Sequence, residues 1–332
     1  MAKSWKADEL LETVRGFQGA CVIAAAAELD VFTALDGKPV AADALAGRIG
    51  SDPRATAVLL DALVALELLT KRGDTYHVPP DVAELLTESM PANVLPAVRH
   101  QANCLRRWAE LARVIQTGRP AQRTPSIRGE AADCEAFIGA MNNFTAAVAP
   151  QLVEKLSPLQ FQRLLDIGGA SGTWTIAFLR AVPDATAVLF DLPQVIPLAR
   201  ERLTRAGLID RVTLVAGDFT AGPLPGGADF AWLSAIVHQN SRQENRALYA
   251  KVLAALTPGG LLAIRDVVMD ASRTQPVGGA LFAVNMLAGT EGGGTFTFNE
   301  FEEDLVSIGF SDVRLVHRDE YMDSLVLAEK AR

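Results

Sequence analysis

Two spacings of apolar residues divide this chain. Up to about residue 156, apolar positions recur every three or four residues, the period of a helix with one buried face. From about residue 160, short apolar runs alternate with helical stretches. In the first part, residues 8–36 predict helix, mostly buried. "AADALAGRIG" predicts a short helix, and Asp52-Pro53 opens another, with Pro53 in its first turn. "LTKRGDTYHV" predicts a small hairpin turning at Gly73-Asp74. Helix, helix and hairpin in this order make a winged-helix pattern. Residues 91–156 predict two more helical pieces, separated by the polar loop "RPAQRTPSIRGE".

In the second part, "RLLDIG", "TAVLFDL", "RVTLVAG", "ADFAWLSAIV" and "LLAIRDVVM" predict strands. "TWTIAFLRAV", "VIPLARERLTRAG" and "RALYAKVLAAL" predict the helices between them. "DVRLVHRD" and "SLVLAEK" add two short strands close together. Such βαβ alternation predicts an α/β fold, a mostly parallel sheet that ends in an antiparallel hairpin, with helices on both faces. Ligands then bind at the carboxyl ends of the strands. The expected division is a helical winged-helix-like domain over 1–98 and linker helices plus the α/β domain over 99–332.

Composition narrows the function. The 332 residues carry 31 Lys and Arg against 39 Asp and Glu, a net charge of −8. The segment that would enter a DNA groove, "PRATAVLLDALVALELL", has one Arg and two acids. A major-groove helix needs outward Arg, Lys, Asn or Gln, so nucleic acid is not an expected partner. An apolar helix of this kind suits packing against a partner chain instead. Cys21, Cys104 and Cys134 are widely spaced, which suggests neither disulfides nor a zinc site. No other metal site is expected. The N-terminus lacks an apolar signal core, and no apolar stretch is expected to reach the ~18 residues of a membrane span. Cytoplasmic location without membrane contact is the expectation.

Candidate chemistry starts at "LLDIGGASGTW", a glycine-rich turn between a strand and a helix. Counted from Gly168, the third and sixth positions are Ala170 and Thr173, so the dinucleotide pattern GxGxxG is not met. The form is Asp166-x-Gly168-x-x-x-Gly172. An acid beside the loop repels phosphates and attracts an ammonium or sulfonium group. Asp191 ends the next strand, where an acid can accept both ribose hydroxyls. Asp218 ends the third, positioned for an adenine amino group, with Phe219 beside it for the ring.

With these motifs the chain resembles the S-adenosylmethionine-dependent methyltransferases of class I, and more narrowly the plant-type O-methyltransferases. These include caffeic acid and acetylserotonin O-methyltransferases and bacterial natural-product enzymes. "LLDIGGASG", "FDLPQVI" and "AGDFT" resemble the family's successive cofactor motifs, and "WAELARVIQTGRP" and "FIGAM" its linker helices. The resemblance implies S-adenosyl-L-methionine as cofactor, held by Asp166, Gly168, Gly172, Asp191, Leu192, Asp218, Phe219 and Ser234. It implies a substrate pocket lined by Phe137, Met141, Phe144 and Met286. It also implies a homodimer formed through the N-terminal domain and a small-molecule acceptor.

"LSAIVHQNSRQEN" carries the catalytic expectation. Ser241 fits a helix N-cap, and Glu244 three residues on completes a capping box. His238 therefore lies in the short connection from strand to helix. In the family a histidine here is the general base on the acceptor hydroxyl, and an imidazole can accept that proton at neutral pH. Asp266 aligns with the acid that orients the imidazole, one methylene shorter than the family's glutamate, so a longer contact is expected. Arg265 alternates to the other face, as a surface or pairing residue. The family's His-Asp-Trp is here His238-Gln239-Asn240, its lysine is Ser234, and its second supporting glutamate is Thr295. The rival readings are methylation at carbon or nitrogen, a non-methylating reaction on the same fold, a ligand-sensing regulator and an NAD oxidoreductase.

Overall fold

The computed structural model describes residues 3–35 and 38–332. Met1 and Ala2 of the N-terminus, and Asp36 of the helix expected over 8–36, lie outside them. The chain forms two compact units. One contains residues up to Arg106 with Thr124–Asn143, and the other Arg107–Arg123 with Phe144–Arg332.

The first unit opens with α1 (Ala7–Arg15), α2 (Phe17–Glu28) and α3 (Val31–Leu35). β1 (Val40–Ala41), α4 (Ala42–Ile49), α5 (Pro53–Ala65), β2 (Thr70–Arg72) and β3 (Thr75–His77) follow. The strands pair antiparallel in the order β1-β3-β2, which completes the winged helix. Asp52 caps α5 by accepting the Ala55 N–H at 2.7 Å, and Pro53 sits where no N–H is needed. Phe32, Leu35, Leu45, Leu60 and Leu63 form the core. The expectation of a mostly buried 8–36 is corrected here. α1 buries nothing, and α2 buries only Ala26 and Ala27. Leu10, Leu11, Val14 and Phe17 stand exposed, because the core begins only at the end of α2. Ala7–Glu28 is also 22 residues long and contains an 18-residue stretch of mean hydropathy 1.2, which by length and composition alone reaches the measure of a membrane-crossing helix. The alanine run raises that mean although Glu12 and Arg15 fall within the stretch.

Four further helices follow α6 (Pro80–Leu86) where two were expected: α7 (Leu95–Ala109), α8 (Leu111–Thr117), α9 (Glu130–Thr145) and α10 (Ala149–Lys155). Pro150 explains one break. It has no N–H to donate and fits the first turn of a new helix.

The second unit is built on a seven-stranded sheet. β4 (Arg163–Ile167), β5 (Thr186–Asp191), β6 (Val212–Ala216), β7 (Ala228–Ser234) and β8 (Leu256–Asp266) run parallel. Two short strands, β9 (Val268–Met269) and β10 (Phe296–Thr297), pair apart from it. β11 (Phe310–His317) and β12 (Ser324–Lys330) are antiparallel and close the order β11-β12-β8-β7-β4-β5-β6. α11 (Thr173–Ala181), α12 (Ile196–Arg205), α13 (Arg242–Ala255), α14 (Val277–Gly289) and α15 (Phe298–Ile308) accompany them. Leu165 and Ile167 pack into one core and Leu164 into the other, the two-residue alternation of a strand covered on both faces. The strand order reverses at β4, which lies between β5 and β7. That reversal opens a crevice at the carboxyl end of β4.

Candidate active site

At that crevice the chain leaves β4 through a loop held by backbone. Gly168 has φ +65° and donates to Phe190 O at 2.8 Å. A side chain there would meet Ile236 at 2.5 Å. Ala170 takes φ +48°, a left-handed conformation that costs an L-residue roughly 1–2 kcal/mol. Asp191 compensates. Its Oδ2 accepts the Ala170 N–H and its Oδ1 the Leu192 N–H, both at 2.7 Å. Burial holds the Asp191 carboxyl above its usual range, and these two bonds offset only part of that rise. A carboxylate offers about four lone-pair sites, so each oxygen keeps one in reserve, the acceptor set that a ribose diol requires.

Asp166 sits elsewhere than at the loop surface. It is 1% exposed and accepts the Thr175 Oγ1–H at 2.5 Å. Burial, and then the neighbouring charge of Asp191, push its carboxyl up to about 7. It supports the loop from beneath, because the side chain at that strand position points into the packed layer. Asp218 is exposed, and its Oδ1 accepts both the N–H and the hydroxyl of Thr220 at 2.7 Å. Those bonds hold its pKa below the ordinary value. Phe219 packs against the core, and its carbonyl accepts from Lys251 at 2.6 Å. Beside Asp218 an open cleft of ≈ 620 Å³ is lined by Phe190, Gly217, Leu224 and Pro225 among others.

β7 ends at Ser234, three residues short of the apolar run, because Ala235 turns at φ +57°. Ser234 Oγ accepts from Arg265 at 3.2 Å. Of the two roles expected for Arg265, pairing is the one seen. The residue is buried, bonds Asp323 through Nε at 2.7 Å and lies over the Trp174 ring at 5.0 Å. A guanidinium is tolerated there because a carboxylate and an aromatic face receive it.

His238 lies in a single 3₁₀ turn, Val237–Gln239, and is 6% exposed. Its Nδ1 stands 2.9 Å and 3.0 Å from the two oxygens of Asp266, which is 2% exposed. The expected longer contact is not seen. The His238 N–H also reaches Asp266 Oδ2, at 3.3 Å, so the backbone of the turn sits directly on the end of β8 and a short acid suffices. A carboxylate only accepts, so Nδ1 carries the hydrogen and Nε2 the lone pair. The capping box forms, with Ser241 and Glu244 bonded reciprocally.

Three features near the imidazole were not legible beforehand. Phe282 of α14 packs edge-on to it at 4.8 Å. α14 is apolar on every face, so periodicity could not say which residue turns inward. The Gly294 N–H donates to His238 O at 2.9 Å, and a side chain on Gly293 would meet that same oxygen at 2.5 Å. The glycines therefore let the loop lie against the turn. Asn245, buried in α13, donates to Val237 O at 2.9 Å. Thr295 is buried beside this loop, its carbonyl bonded to Arg273 at 3.0 Å.

The residues expected to line a substrate pocket fall in both units. Phe137 and Met141 lie on α9 in the first, where Phe137 is exposed with the His100 ring edge at 5.2 Å. Phe144 and Met286 belong to the second, Phe144 exposed and Met286 buried in α14. Among the described residues no group of three His, Cys, Asp or Glu is arranged to hold a metal ion.

Comparison with known proteins gives this geometry a context. Residues 108–311 match the model of an O-methyltransferase domain, and 11–89 that of an O-methyltransferase dimerisation domain. The chain is 34% identical to the tetracenomycin polyketide synthesis 8-O-methyl transferase TcmO of Streptomyces glaucescens, over 92% of each chain. It is 31% identical to the 3-hydroxy-5-methyl-1-naphthoate 3-O-methyltransferase of Streptomyces sahachiroi, over 92% of this chain and 90% of that one. Among solved structures it is similar to PigF with SAH, with a TM-score of 0.86 and 25% identity over 98% of this chain and all of that one.

Proposed function

The chain belongs to the O-methyltransferase family and uses S-adenosylmethionine, and from that premise we propose that His238 is the general base on a hydroxyl of a small aromatic metabolite. The observation that carries this reading is the buried His238–Asp266 pair at the carboxyl end of the sheet. Asp266 fixes the tautomer, so the Nε2 lone pair is the one that takes the acceptor proton. S-adenosylmethionine, when bound, supplies a methyl group on a positively charged sulfur. Asp191 would hold its ribose, with the 168–172 loop beneath it and the cleft beside Asp218 for its adenine. Asp166 supports that loop from within. Phe282 helps keep water from the imidazole, which strengthens every polar interaction there. Removal of the phenolic proton is worth typically 10²–10⁴-fold.

The acceptor class follows the relatives, which act on a tetracenomycin polyketide and a hydroxynaphthoate. Phe144 and Met286, in the unit that carries His238, are the proposed pocket residues. The dimerisation-domain match and the exposed Leu10, Leu11, Val14 and Phe17 support a homodimer through residues 1–98. The acidic net charge and the two acids of segment 53–69 speak against a nucleic-acid partner, and a cytoplasmic setting without membrane contact suits such a metabolic enzyme.

The test is incubation of the enzyme with S-adenosylmethionine and a panel of polycyclic phenols and naphthoates. S-adenosylhomocysteine release is measured and the product located by NMR. An O-methyl product supports the reading. A C- or N-methyl product, or none across the panel, removes the acceptor assignment.

A further inference from the structure

The turn that carries His238 is tied down one carbonyl at a time. Ala235 O accepts from Gln239 Nε2 at 3.0 Å, and Ile236 O from the Gln239 N–H at 2.9 Å. Val237 O accepts from Asn245 Nδ2 at 2.9 Å, with the Asn240 N–H farther off at 3.3 Å. His238 O accepts from the Gly294 N–H at 2.9 Å. Of these donors, Asn245 is the buried side chain, at 1% exposure. Its other end is fixed too, since Oδ1 accepts from Asn240 Nδ2 at 3.0 Å. The rest of its face on α13, Leu248, Tyr249 and Val252, is apolar core. A polar amide is costly in such a layer unless both ends are bonded, and here both are.

We propose that Asn245, braced by Asn240, is a positioning residue that holds the His238 turn against the end of β8. The proposal rests on the reading of His238 as base. Asp266 has one methylene with which to reach the imidazole, so their contact survives only while the turn stays seated on the strand. Asn245 holds the turn from the α13 side and Gly294 holds it from the other. If the turn lifts, Nδ1 leaves Asp266 and Nε2 loses its aim. Displacements near 1 Å at a reacting group can cost about 10²-fold.

The experiment uses the full-length enzyme with S-adenosylmethionine and an accepted phenol. In Asn245→Ala, kcat falls about 10-fold or more and the acid limb of its pH profile moves by about half a unit, with cofactor affinity within about twofold. Asn240→Ala, at a partly exposed site, falls about threefold in the same manner and keeps the test open should the first variant not fold. Asn245→Asp keeps the shape but loses the donor, and behaves like the alanine variant. NMR of the imidazole N–H signals, with only four histidines to assign, follows the Asp266-bound proton directly. The proposal is overturned if Asn245→Ala and Asn240→Ala keep kcat, pH profile and the His238 N–H signal. It is equally overturned if kcat and cofactor affinity fall together, which marks a general loss of structure. His238→Ala separates the two readings. Retained turnover there removes the base itself, whereas lost turnover with an intact Asn245→Ala removes only the positioning role.

Discussion

At the cofactor end of the sheet, carboxylate side chains hold backbone N–H groups. At the base end, side-chain amides hold backbone carbonyls, and the carboxylate there holds an imidazole along with the His238 and Val267 N–H groups. Asp191 fixes Ala170 and Leu192 by their N–H groups, and Asp218 fixes Thr220 in the same way. Gln239 and Asn245 instead secure Ala235 and Val237 by their carbonyls. The difference fits the roles proposed for the two ends. A ribose presents hydroxyl donors, so acceptors are gathered there and kept in part unspent. A proton acceptor must hold its own aim, so the carbonyls of its turn are each bonded in place.

Breaking the cofactor end at its acid has the largest expected effect. Asp191→Ala leaves the Ala170 and Leu192 N–H groups without their acceptor and removes the proposed ribose acceptor, so S-adenosylmethionine affinity falls about 10–100-fold by calorimetry, hydrogen bonds to a charged group being worth roughly 1.5–3 kcal/mol. Affinity kept within twofold would detach Asp191 from the cofactor. The next effect is one of pH. The folded chain keeps a proton on Asp166 up to about 7, whereas the ordinary carboxyl value is 3.8. The native state thus binds more protons than the unfolded state between those values. Its stability declines as pH rises through that window, by up to about 1.4 kcal/mol per unit for one proton, and stays low above it. Asp166→Asn removes this slope in denaturation curves taken from pH 5 to 8. Parallel slopes for the two proteins would show an Asp166 already ionised. The smallest effect is at Ala170. Ala170→Gly relieves the left-handed strain and raises stability by about 1 kcal/mol, less the chain entropy that glycine adds, read as a shift in melting temperature.

The same contrast explains what the sequence revealed. Strand ends with acids and a glycine turn leave compact marks, so β4, β5 and β6 and the positions of Asp191 and Asp218 were readable. The capping box at Ser241 placed His238 in its connection. Asn245, Phe282 and Gly294 reach the imidazole turn from separate elements, 7, 44 and 56 residues downstream, and no local pattern joins them. For Arg265, alternation left surface and pairing roles open, since its partners Asp323 and Trp174 lie far away in the chain. The exposed α1 was misread as buried because an apolar face announces burial without saying against what.

The most direct measurement compares wild type with His238→Ala on two accepted phenols, one weakly acidic and one ionised at the pH of measurement. If His238 removes the acceptor proton, the substitution lowers turnover by about 10²-fold or more on the weak acid and far less on the ionised one. Equal losses on both, or no loss on either, would contradict the assignment of His238 as the base.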